Sequence, residues 1–457
     1  MSYKDLTRRE FLRRSALLGI TAAASPLVFK LASIGEAVAS PSDYKALVCV
    51  FLYGANDNGN TLIPYDTNNY NTYAQIRQGL ALTRDSLTAS ALTPNVPLPD
   101  SSRQMALAPQ LAPLKPIFDS GNLGVLVNIG TLVQPTTLAQ YKAASVPLPP
   151  KLFSHNDQQS YWQASLPEGA TSGWGGRIGD LFLSSNASAT FTCINISSNA
   201  VFMSGHNAVQ YQVGPGGSVA LRGISSALYG SKTCSNVLQS LITASRYNLI
   251  EDAHTVVMRR ALDANAQVSS ALKGVTLATT FDQTNSLATQ LQMVAKLIAA
   301  RYALGSKRQV FFVSLGGFDN HTSLTTLHPP LLTELASALA SFYDATVELG
   351  VSSQVTTFTA SDFGRTLSSN GSGSDHGWGS HHFVLGGDIK GGRYFGTLPV
   401  TALGGPDDVG QGRLLPSTSV DQLAATLATW FGVSTSDMPL VVPNIVNFSL
   451  KDIGLFG

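Results

Sequence analysis

The sequence predicts an α/β fold built on a central, largely parallel sheet flanked by helices, with further β and helical segments inserted between its strands. Three observations carry that expectation. Short, almost unbroken apolar runs recur along the chain, as strands covered on both faces require. Between them lie stretches whose apolar residues return every three or four positions, the spacing of an amphipathic helix. Two of the runs, Gln309 to Leu315 and Gln354 to Ala360, bracket one helical stretch within about fifty residues, a strand–helix–strand unit whose strands run parallel.

In chain order, the first segment is not part of this fold. Thr7-Arg8-Arg9-Glu10-Phe11-Leu12-Arg13-Arg14 is positively charged, Ala16 to Val28 is modestly apolar, and Ala37-Val38-Ala39 is a small-x-small cleavage signal. That order is a signal peptide, and paired arginines ahead of Phe-Leu mark the twin-arginine route. Gly19, Thr21, Ser25 and Lys30 make the apolar part too short and too polar for a stable span. The expectation is a leader over residues 1–39, cleaved near Ala39 and handled by the twin-arginine translocase. Residues 40–457 would then be a single domain, folded before export and periplasmic or secreted, with no stable membrane span.

Lys45 to Leu52 (KALVCVFL) is the first buried strand, closed by Gly54. Residues 64–113, rich in Asn, Thr, Ser and Pro, form a long irregular insertion. Asn122 to Ile129 is a second buried strand, and Gln158 to Ala164 a short helix. Residues 169–232 alternate β-like pieces with Gly- and Ser-rich turns, the pattern of an inserted, partly exposed β region. Helices take over from about Ser235 to Leu304, with Leu287, Leu291, Val294 and Ile298 on one stripe. Pro329 to Leu349 is the helix of the strand–helix–strand unit, with Leu332, Leu335, Leu339 and Phe342 on its buried face and Gly350 as its C-terminal cap. Phe383 to Leu385 is a late strand. Ser419 and Gln422 have the spacing of a capping box for a helix ending at Phe431.

Composition narrows the function. Of 457 residues 12% are charged and the formal net charge is +1, so no basic face for nucleic acid is present. Cys49 lies in an apolar run and reads as a core residue. Cys193 and Cys234 are either bridged in an oxidising compartment or free.

Polar residues gather where strands end. Gly54-Ala55-Asn56-Asp57-Asn58-Gly59-Asn60, Gly316-Gly317-Phe318-Asp319-Asn320-His321 and Ser361-Asp362-Phe363-Gly364-Arg365 each follow a strand. An open α/β sheet places ligands at that edge. Asp57, Asp319 and Asp362 would meet there, joined by His321 and by Asp375, His376 and His381 of the loop DHGWGSHH. Carboxylates and imidazoles together suit Zn²⁺, Mn²⁺ or Fe. Asp57 is equally well placed to cap a turn. His381 and His382 face opposite sides of a strand, so one of them reaches the site. His328, beside two prolines, is expected at the surface. Arg365 either binds an anionic substrate or makes a structural ion pair. Ser154, before the short helix, is a nucleophile favoured by the helix dipole or a plain N-cap.

The run LATQLQMVAKLIAARYALGSKRQVFFVSLGGFDNH, with SDFGR and DHGWGSHHFVLGG, resembles the exported bacterial family catalogued as domain of unknown function 1501. The segment at Gly54 and the Ser154-His155 pair fit the same family, across almost the whole mature chain. That family is similar to the alkaline phosphatase and sulfatase superfamily. The resemblance implies an alkaline-phosphatase-like sheet carrying one or two divalent ions (Zn, Mn, Fe or Ca) at its C-terminal edge. By that likeness Asp57, Asp319, His321, Asp362 and His376 are ligands, and Ser154 is the nucleophile. Phe363 stands where an imidazole is expected, a place for Asp375 or His381 to fill. No Cys-x-Pro-x-Arg motif is present, which argues against a formylglycine sulfatase. The implied function is an exported metal-dependent hydrolase of small anionic phosphate or sulfate esters. The alternative is a secreted or surface binding or assembly protein that keeps the fold without turnover.

Overall fold

Lys45–Leu52 forms a strand over the full apolar run, and every residue from Ala46 onward is buried, because both faces of the sheet are covered. The structure is a computed structural model that describes residues 43–457; the leader and its cleavage position near Ala39 lie outside the described residues. Twelve strands follow in chain order: β1 (Lys45–Leu52), β2 (Leu62–Pro64), β3 (Met105–Leu107), β4 (Leu123–Gly130), β5 (Cys193–Asn195), β6 (Tyr211–Gly214), β7 (Gly217–Ser218), β8 (Arg308–Leu315), β9 (Val355–Ser361), β10 (Ser380–Leu385), β11 (Tyr394–Phe395) and β12 (Thr418–Ser419). All but β2 and β3 belong to one sheet of order β11-β4-β10-β9-β1-β8-β5-β6-β7, with β12 also beside β4.

The sheet is largely parallel, as the sequence predicts. β1 lies between β9 and β8 and runs parallel to both, with Leu52 level with Leu315 and Ser361. Three chain segments therefore leave the sheet side by side at one edge. The exceptions are β10, antiparallel to both β4 and β9, and the short β7, antiparallel to β6. Helix Ser286–Ala299 buries the expected stripe, and its Gln290 side chain bonds the backbone of Ser314 in β8. On one face, Leu47, Cys49 and Phe51 of β1 share a core with Trp174, Ile178, Leu423 and Leu427. The helix Val420–Phe431 opens on the predicted capping box of Ser419 and Gln422.

Three expectations need correction. Residues 64–113 are more ordered than their composition suggests, holding the helix Thr67–Ile76, capped by Asp66, and the small β2–β3 sheet. Residues 169–232 are not an exposed β insertion throughout. They contain the buried helix Trp174–Phe182, and β5 pairs with β8 inside the main sheet. Glycines make that helix look like a turn in sequence, yet they serve close packing: a Cβ on Gly176 would stand 2.1 Å from the Ser204 backbone. The third correction concerns His328. Helix Leu324–Glu348 begins a turn before Pro329, which extends its apolar stripe back to Leu324 and turns the His328 ring inward. There His328 Nε2 meets Asn56 Oδ1 at 2.8 Å. Gly350, at φ +65°, follows this helix as expected. Of the two alternatives left open for Cys193 and Cys234, the structure has the free one: Cys193 is buried in β5, Cys234 is exposed, and no bridge joins them. Among the described residues, no helix is long and apolar enough to cross a membrane.

Candidate functional site

Close contact between the β1 and β8 loops is what sets the site. Gly54, at φ +107°, passes so near the β8 loop that a Cβ there would lie 2.5 Å from the Asp319 backbone nitrogen. Its own N–H faces both carboxylate oxygens of Asp362, each at 3.3 Å. Asp319 and Asp362, carried by separate strands, are thereby held across a single glycine.

Three imidazoles close over this edge. His155 opens the helix His155–Ala164, His321 follows β8, and His376 precedes β10. Each ring commits its Nδ1 to an acceptor: His155 to Asp362 Oδ2 at 2.5 Å, His321 to Asp375 Oδ1 at 3.2 Å, and His376 to the Phe153 carbonyl at 2.7 Å. In a neutral ring the proton then sits on Nδ1, and Nε2 carries the lone pair. Those Nε2 atoms converge: His376 Nε2 lies 3.1 Å from that of His155 and 2.9 Å from that of His321. Asp319 Oδ1 joins them, 3.1 Å from His321, 3.4 Å from His376 and 3.6 Å from His155.

A proton can join one such pair, whereas a cation can join three donors, since ligand atoms of His155, Asp319 and His376 all lie within 4.8 Å of one another. Donors about 2.0–2.1 Å from a tetrahedral ion stand roughly 3.3 Å from one another, and the separations among His155, His376 and Asp319, 3.1 to 3.6 Å, scatter about that value. Nδ1 bonds to carboxylates and a carbonyl are the outer partners that metal-bound histidines use. The side chains remain open on one side, 26% exposed for His155, 25% for His376 and 47% for Asp319. The described residues thus present a candidate His/Asp metal site made of His155, Asp319 and His376, with His321 beside it.

Electrostatics fit this arrangement. The hydrogen bond to Asp362 holds His155 above its ordinary pKa, whereas burial lowers that of His376. Burial alone would raise Asp319; the hydrogen bond and charge of Arg365, then His321 and His155, outweigh it and keep the carboxyl low. Asp375 is also held low, first by its bond from Asn370. Phe363 packs at 4.9 Å from the rings of both His155 and His376.

The sequence-predicted residues fall into three places. Asp319, His321 and His376 stand at the centre, while Asp362 and Asp375 stand one bond out, against the imidazoles. Arg365 lies behind Asp319 with its side chain fully buried. It donates to Asp319 Oδ1 at 2.9 Å, to the Gly54 carbonyl and to Ser374. Of the two roles expected for Arg365, the structural ion pair is the one present.

Two expected ligands lie elsewhere. Asp57 is buried against Arg77 at 2.8 Å, accepts from Ser374 Oγ and caps the turn at Asn60. His381 points away, its Nδ1 accepting from the Asn128 N–H at 3.1 Å, because the strand twists that ring toward β4. Its neighbour His382 is buried against Trp162 and Thr359, so neither histidine of the pair joins the site. Ser154 occupies the N-cap position without a side-chain cap bond; its hydroxyl donates to Asp157 Oδ2 at 2.9 Å. Sequence reasoning missed His155 and its second support, Gln159, which donates to Asp362 Oδ2 at 2.9 Å. The signal was one position away, in the Ser154-His155 pair.

No curated protein matches the chain. Among solved structures, the chain is similar to the lipoteichoic acid synthase LtaP from Listeria monocytogenes, at 8% identity over 90% of this chain and 78% of that one, with a TM-score of 0.32. It is likewise similar to the PsFucS1 sulfatase from Pseudoalteromonas sp., at 10% identity over 95% and 78% of the two chains, with a TM-score of 0.36. Across residues 44–439 the sequence matches the family described as Protein of unknown function (DUF1501), and the chain belongs to that family.

Proposed function

We propose that this protein is a hydrolase of phosphate or sulfate esters that depends on one divalent ion held by His155, His376 and Asp319, with His321 beside them. The observation that carries the reading is the convergence of three imidazole Nε2 atoms, each with its Nδ1 already bonded, on one carboxylate oxygen. Two imidazole nitrogens and a carboxylate oxygen, 3.1 to 3.6 Å apart, suit Zn²⁺ best and Ca²⁺ poorly. The other nearby carboxylates already have partners. Asp57 has Arg77, Asp362 has His155 and Gln159, and Asp375 has His321 and Asn370. That leaves ligands for a single ion. The ester class rests on the sequence resemblance.

A divalent ion bound there would supply positive charge for the ester oxygens and lower the pKa of an oxygen nucleophile. In this reading the nucleophile is the Ser154 hydroxyl. Its proton already points at the Asp157 carboxylate, which can accept it. The same hydroxyl stands at the N-terminus of a ten-residue helix, where the dipole favours negative charge. Arg365 fixes Asp319, and the three Nδ1 acceptors fix the imidazole tautomers.

The test is elemental analysis of the purified mature chain, beside assays of phosphate and sulfate monoesters and diesters. About one metal per chain is expected. Asp319→Ala should lose it and at least about 100-fold of the activity, while Ser154→Ala should keep the metal and lose hydrolysis. A wild type without metal sinks the proposal. Metal without turnover above either variant would instead support a binding or assembly protein.

A further inference from the structure

We propose that Arg413 is a positioning residue of the metal centre, locking the Phe153 carbonyl onto His376; the inference rests on the metal-site reading above. Arg413 is half-buried, in the long connection between β11 and β12, and no sequence motif singles it out. Its Nε donates to the backbone carbonyl of His376 at 2.7 Å. Its guanidinium also lies over the Phe153 ring, 5.0 Å from the centroid. One cation thus touches both members of the pair whose bond, His376 Nδ1 to Phe153 O at 2.7 Å, sets the His376 tautomer.

That bond needs support from outside. Phe153 is a bulky residue at φ +72°, in the left-handed region that L side chains avoid, so its carbonyl direction is not one the local chain would choose. Phe153 immediately precedes Ser154 and His155, so the same twist delivers both to the site. A planar guanidinium can stack on the ring and donate in its own plane at once, which an ammonium cannot.

Arg413 is itself firmly held. Asp408 accepts from the backbone N–H groups of Gly404, Gly410 and Gly412, which shapes the turn before Arg413. The Arg413 carbonyl accepts from Val409, and its Nη1 donates to the Gly410 carbonyl. These bonds pin the loop from which Arg413 reaches the two segments that carry His155 and His376.

The experiment is a Co²⁺ titration of the whole mature protein, read by visible absorption, with Zn²⁺ affinity from chelator competition. Outer partners of metal ligands typically contribute 10–100-fold in affinity. Arg413→Ala should therefore weaken Zn²⁺ binding about 10–100-fold and alter the Co²⁺ spectrum. Arg413→Lys, which keeps one donor but loses the stacking plane, should fall between. Phe153→Leu should shift affinity in the same direction. Circular dichroism of the metal-free forms checks folding; should Arg413→Ala misfold, Arg413→Lys and Phe153→Leu decide. Wild-type affinity and spectrum in the folded variants would overturn the role of Arg413 while leaving the metal site standing. A wild type that takes up neither ion overturns both.

Discussion

His155 and Asp362 belong to one unit, and their roles follow from which partner holds the proton. The carboxylate raises the His155 pKa through a 2.5 Å contact, so protons compete for this ring at a higher pH than they would for an isolated imidazole. Metal binding needs Nε2 without a proton. Affinity should therefore fall as pH drops through the raised His155 pKa. Asp362→Asn keeps the shape but removes the charge. It should weaken metal binding about 10–100-fold near neutral pH and move the acid limb of the affinity profile to lower pH. Zn²⁺ competition titrations between pH 5 and 8 measure both. An unmoved acid limb would show that the Asp362 charge does not set the His155 proton.

The same scale shows where sequence reasoning stopped. Asp319, His321 and His376 were visible because each follows or precedes a strand that points to one edge. Asp57 shares that position, but its partner Arg77 caps the end of a helix that composition disguises as an irregular insertion. His381 turns on a backbone N–H at Asn128, 253 positions away. Whether a strand-end carboxylate or imidazole is a ligand or a buried structural group depends on such remote partners, and spacing does not record them.

Among elements, the continuous apolar runs mark β1, β4, β8 and β9 to within a residue at each end, because strands covered on both faces are apolar along most of their length. What the runs could not give was their order: β1 stands between β9 and β8, so the strand–helix–strand unit straddles it. That order is why a single glycine matters. Gly54 has contacts in both neighbouring loops, to the Asp319 backbone and to the Asp362 carboxylate. Gly54→Ala places a Cβ against backbone and forces an alanine to φ +107°. It should cost about 1–3 kcal/mol of stability and weaken metal binding by displacing the Asp319 loop. Urea unfolding and Zn²⁺ titration test the two effects; wild-type values in both would mean that the loops yield freely and that the strand ends do not set the site.

For the molecule as a whole, three buried histidines outside the candidate site set the response to acid. Burial lowers His328 and His381 to about 4 and His382 to about 3, whereas it raises Asp421 to about 7. The unfolded histidines titrate near 6.5. Their depressed folded values leave stability intact above that pH. Below it the unfolded chain takes up protons that the native state refuses, and stability declines toward pH 4. Asp421 acts in the opposite sense: its folded carboxyl keeps a proton that the unfolded chain loses above about pH 4, so it regains stability as pH falls from 7. Between pH 6.5 and 4 these four groups leave a net uptake of about two protons on unfolding, a slope of roughly 2.7 kcal/mol per pH unit. His328→Gln can still donate to Asn56 Oδ1 but cannot titrate. In the presence of chelator, its urea-derived stability should fall less steeply with acid than that of the wild type, by about 1.4 kcal/mol per pH unit. Parallel profiles for the two proteins would mean that His328 is protonated in the native state and that the buried imidazoles do not govern acid unfolding.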